Sequence, residues 1–111
     1  MELRFDHYYL YGELESALKG LAEKYPRLMT LESAGKTPEG RDIWAVTITD
    51  RETGCPSAKP AFYFDGNHHA GEVTGSMISM YIIDYLLKNY GKDERVTKIL
   101  RNYTVYAIPR V

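Results

Sequence analysis

The chain has 111 residues, 44% hydrophobic and 26% charged, with 14 lysines and arginines against 15 acidic residues. That length holds one domain at most, the composition is globular rather than disordered, and the near-balance of charge gives no basic face for nucleic acid. One cysteine, Cys55, excludes an intrachain disulfide and a CxxC motif. No window nears the roughly 20 apolar residues of a membrane helix. The first residues hold no apolar run of the kind a signal peptide needs, so the expectation is no membrane partner and an open compartment.

Leu14, Ala17, Leu18, Leu21, Ala22 and Tyr25 recur at helical spacing and predict an amphipathic helix over 12–25, stopped by Pro26. Residues 28–35 and 42–49 are rich in strand formers. The turn Lys36-Thr37-Pro38-Glu39-Gly40-Arg41 between them makes the pair a β-hairpin. The polar stretch 50–59 reads as a surface loop, with Cys55 an incidental loop thiol. Residues 60–65 (PAFYFD) are apolar without alternation, which predicts a central strand covered by helices on both sides. A helix over 72–89 is apolar nearly all round and predicts burial; Gly91 ends it. Asp93 caps a short helix containing Val96, Ile99 and Leu100, and residues 103–108 form a last strand. Strand, helix and strand make a right-handed crossover with parallel strands. The hairpin adds antiparallel strands, so the expected class is α/β, three layers (α/β/α) around a mixed sheet.

The turn between the apolar strand and the long helix holds the informative residues, Asp65-Gly66-Asn67-His68-His69-Ala70-Gly71-Glu72. In open α/β sheets ligands bind beyond the carboxyl ends of the strands. His69 and Glu72 stand three apart, so in a first helical turn both can face one point. An imidazole nitrogen with a carboxylate oxygen suits Zn²⁺. On spacing alone the alternative is a helix start where Glu72 meets the dipole and His69 is a turn residue.

The segment from Asp65 to Gly75 resembles the first metal-binding motif of the carboxypeptidase A-like zinc metallocarboxypeptidases. Lys24-Tyr25-Pro26, the runs 31–37 and 39–44, Tyr85-Leu86-Leu87 with Asn89-Tyr90-Gly91, and the closing Ile108-Pro109-Arg110-Val111 are similar to that family in order and spacing, from about Tyr8 onward. The resemblance implies that His69 and Glu72 are the first two ligands of one zinc ion. His68 matches no ligand position, and His7 lies far upstream as a surface residue. Many members have an arginine before the glutamate, where it helps bind peptide; here that residue is Gly71, so subsite preference does not carry over.

The resemblance also implies hydrolysis of C-terminal peptide bonds by zinc-activated water, with peptide or protein C-termini as substrates. The third ligand, the carboxylate-holding arginines and the glutamate base belong to later parts of the family pattern. No catalytic residue is therefore expected in this chain, which reads as the N-terminal portion (1–111) of one catalytic domain, inactive by itself. A bare flank of the sheet would favour self-association. Two alternatives stay open: a zinc amidohydrolase or deacylase of related fold, and a binding module that kept the fold without the chemistry.

Overall fold

The architecture is seen in a computed structural model that describes residues 3, 5, 7–66 and 73–110. It runs α1 (Tyr11–Lys24), β1 (Met29–Lys36), β2 (Asp42–Ile48), two 3-10 turns (Arg51–Thr53 and Pro56–Ala58), β3 (Ala61–Asp65), α2 (Val73–Asn89), α3 (Glu94–Asn102) and β4 (Thr104–Ile108). The stripe foreseen in α1 is its buried face: Leu14, Ala17, Leu18 and Leu21. Asp93 caps α3 through its carboxylate, which accepts from Arg95 N and Val96 N.

Four strands form one sheet in the order β1-β2-β4-β3. β1 and β2 are the expected antiparallel hairpin, with Leu31 opposite Val46. Gly40 takes the left-handed conformation that its tight turn requires (φ 84°). β4 runs antiparallel to β2 and parallel to β3, matching Ala107 to Val46 on one side and to Phe64 on the other. The α/β class and the mixed sheet are therefore those read from the sequence. Val46, Ile48, Val105 and Ala107 alternate onto one face and share one core with Leu14, Leu18 and Leu21 of α1, Met80, Ile83 and Leu87 of α2, and Leu100 of α3. Among the described residues the core lies on that face.

Three readings need correction. β3 is the end of the described sheet rather than its centre, with Phe62 64% and Tyr63 54% exposed. An unbroken apolar run shows that a strand is apolar; its neighbours are chosen by distant segments. Second, α2 is buried on one side only. Met80, Ile83, Leu87, Ser76, Ser79 and Asp84 are buried while Ile78, Tyr81 and Tyr85 are exposed, so its apolar residues divide between two faces. Third, the stretch 50–59 is no plain surface loop, since its first residue is among the most buried polar groups.

Asp50 closes the carboxyl end of β2. Its carboxylate accepts from Arg27 Nη2 at 2.8 Å and Nε at 3.3 Å, from Glu52 N at 3.0 Å, and from the Tyr90 hydroxyl. Arg27, first, holds the Asp50 carboxyl well below the usual carboxylate range against the opposing effect of burial. Burial and the neighbouring carboxylate push the Tyr90 hydroxyl up. The Asp50 carboxylate thus ties the end of β2 to the residues just before β1 and just after α2 by charge-assisted hydrogen bonds.

Candidate metal centre

The opposite end of the sheet is where β3 and β4, being parallel, both finish. Gly66 N donates to Ile108 O at 3.0 Å, so the two strands stay paired one residue beyond Asp65. A Cβ on Gly66 would lie 2.4 Å from Gly75 O and 2.6 Å from Ser79 Oγ. Only glycine permits that approach, which puts the end of β3 directly against the first turns of α2. Ser79, itself buried, donates to Gly75 O at 2.9 Å and leaves the contact tight. Residues 67–72 join two ends that the fold holds together.

His68, His69 and Glu72 lie outside the described residues. What the structure places is their frame: the carboxyl ends of two parallel strands on one side and a helix start on the other. Among the described residues no group of three or more His, Cys, Asp or Glu could hold a metal ion. His7 is where a surface residue would be, half-exposed, with Nε2 2.7 Å from Glu13 Oε2. That hydrogen bond holds the Glu13 carboxyl low. Cys55 is exposed and free; the Ser57 hydroxyl lowers its thiol.

Several polar groups gather at the strand ends. Tyr63 donates its hydroxyl to Asp65 Oδ2 at 2.8 Å, which pushes the phenol up. Arg110, two residues past β4, donates Nη2 to Tyr9 O at 2.7 Å, and burial lowers its guanidinium. Among the described residues, the buried Ser76 Oγ and Arg110 Nε meet no hydrogen-bond partner.

A zinc ion suits the donors here. An imidazole and a carboxylate three residues apart, entering a helix from a strand end, are two of the ligand types that catalytic zinc takes. Sequence reasoning singled out His69 and Glu72 and missed the contact that frames their segment, Gly66 with Gly75 and Ser79. A signal was present: Gly75 and Ser79 are small residues four apart, so they share one face of the helix.

Residues 14–111 match the family described as zinc carboxypeptidase. The chain is 32% identical over 103 residues to carboxypeptidase D of Mus musculus, covering 93% of this chain and 8% of that protein. To metallocarboxypeptidase A of Trichophyton tonsurans it is 33% identical over 107 residues, 96% of this chain and 25% of that one. Among solved structures, carboxypeptidase A from Helicoverpa armigera superposes with a TM-score of 0.85 at 25% identity, over 98% of this chain and 25% of that chain. Thrombin activatable fibrinolysis inhibitor has the same fold over 96% of this chain and 26% of its own, with a TM-score of 0.86 at 21% identity. The chain therefore spans between 8% and 26% of the length of these relatives.

Proposed function

The chain belongs to the zinc carboxypeptidase family, and from that premise we propose that its protein removes C-terminal residues from peptides, with His69 and Glu72 as two of the protein ligands of one zinc ion. The observation that carries the proposal is the contact of Gly66 with Gly75 and Ser79. It supports the reading because it holds the end of β3 against the start of α2, the two flanks of residues 67–72, near the carboxyl ends of parallel strands, where α/β sheets take their ligands.

The roles divide by residue. His69 offers a ring nitrogen and Glu72 a carboxylate oxygen; Gly66 keeps the strand end close enough to α2 for both to arise from one short turn. Bound zinc supplies Lewis acidity toward a peptide carbonyl and lowers the pKa of water. Gly71 leaves the residue before Glu72 without a side chain, so peptide is not gripped from that position. The 111 residues supply neither a third matched ligand nor a matched base, and a chain of these residues alone is expected to be inactive.

The test uses a peptide with a free C-terminus beside its amidated counterpart. The longer protein containing these residues should release the C-terminal residue from the first and not the second, and lose that activity in Glu72→Ala. The 111-residue chain should release none. Equal cleavage of both peptides would favour an amidohydrolase, and hydrolysis by the chain alone would overturn the division of roles.

A further inference from the structure

At the end of the sheet away from the metal loop, the ammonium of Lys59 is surrounded by oxygen. Nζ lies 2.8 Å from Thr49 Oγ1, 2.8 Å from Asp50 O, 2.9 Å from Thr53 Oγ1 and 3.3 Å from Leu100 O. These four atoms come from the end of β2, the first 3-10 turn and the end of α3. Lys59 itself leads into β3.

All four oxygens face the cation as acceptors. Each threonine hydroxyl has one proton, and both point theirs at carbonyls: Thr49 toward Leu100 O and Tyr103 O, Thr53 toward Asp50 O and Arg101 O. The two carbonyls also have other donors, since Asp50 N reaches Leu100 O at 2.8 Å and Thr53 N reaches Asp50 O at 3.2 Å. Lysine is therefore not present to satisfy lone donors or acceptors. What needs it is the crowding of four oxygen dipoles, their partly negative ends about one point, which a cation relieves. An ammonium has three N–H groups for four acceptors, and the contact at 3.3 Å is the one left long. A spherical cation has no such limit, and carbonyl and hydroxyl oxygens replace its hydration shell as they do in ion-selective filters.

We propose that Thr49, Asp50, Thr53 and Leu100 form a monovalent-cation site whose resident occupant is the Lys59 ammonium. A free cation of ammonium or potassium size takes that place when the lysine stem is shortened. The stem leaves room for this: its Cε runs 3.4 Å from where a Cβ on Gly54 would be, so removing it opens a channel beside a residue with no side chain.

The test is thermal unfolding of the 111-residue chain, wild type, Lys59→Ala and Lys59→Met, at one ionic strength in choline, potassium, ammonium or methylammonium chloride. In choline, a cation too large for the cage, both variants should melt roughly 5 °C or more below wild type. Ammonium and potassium should raise the midpoint of Lys59→Ala with saturation. They should leave Lys59→Met unmoved, because its terminal methyl takes up the space. Adding Thr53→Val to Lys59→Ala should abolish the response. If Lys59→Ala is unfolded in choline, its refolding on transfer to ammonium is the same positive result. Equal behaviour in choline and ammonium, an equal gain by wild type, or no folding in any salt would overturn the proposal.

Discussion

The two ends of the sheet are built on different terms. At the carboxyl end of β2, Asp50 is 1% exposed and takes hydrogen bonds from Arg27, Glu52 and Tyr90, while Lys59 fills the space behind its backbone. At the carboxyl ends of β3 and β4, the fold relies on a bare glycine pressed against a helix. The first end is organised for stability. The second holds a strand end and a helix start together on either side of residues 67–72.

The largest expected effect separates the ends outright. Asp50→Ala removes the counter-charge of Arg27 and leaves the Tyr90 hydroxyl and Glu52 N without their acceptor. Chemical denaturation should show a loss of about 3 kcal/mol, the upper range for removing a charged hydrogen-bond acceptor, because Arg27 is half exposed and can turn to water while the Tyr90 hydroxyl and Glu52 N cannot. Zinc affinity of the molecules that remain folded should not change. A smaller loss with a large drop in zinc affinity would mean the ends are not independent.

Gly66→Ala makes the converse change. A methyl 2.4 Å from the Gly75 carbonyl forces the end of β3 away from α2. Overpacking of this sort costs about 2 kcal/mol, and zinc binding should weaken more than stability does. Stability lost with zinc affinity intact would show that the glycine contact does not position the metal loop.

The mildest effect is that of acid. Because Asp50 has its folded pKa depressed by Arg27, its contribution is complete above the unfolded carboxylate value of about 4 and is lost as pH falls through the lower folded value. Unfolding midpoints between pH 5 and pH 2 should fall more steeply in wild type than in Asp50→Asn. Parallel curves would remove Asp50 from the account of that end.

How far this contrast was legible in the sequence differs by element. α1, the hairpin, α3 and β4 fall within about one residue of where periodicity and turn residues put them, because a stripe at helical spacing or a proline-glycine turn is local information. The order of strands is not local. PAFYFD is equally apolar at the end of a sheet or in its middle, so the reading of β3 as central had nothing to decide it. The cluster around Asp50 was invisible for the same reason, since Arg27 and Tyr90 are 23 and 40 residues away in the chain. For the proposed metal loop the situation is reversed: His69 and Glu72 are close in sequence, so the pair could be proposed from local spacing. Their support by Gly66, Gly75 and Ser79 became visible only when a strand end and a helix start were placed in contact.

The most direct measurement is calorimetric titration of zinc into the 111-residue chain, beside His69→Ala, Glu72→Ala and His68→Ala. Weak binding by wild type that is kept in His68→Ala and lost in both His69→Ala and Glu72→Ala is the expected result. It would establish the pair as two ligands of one ion. Binding by His69→Ala or Glu72→Ala as strong as wild type, or a wild-type chain that takes up no zinc, would contradict the assignment.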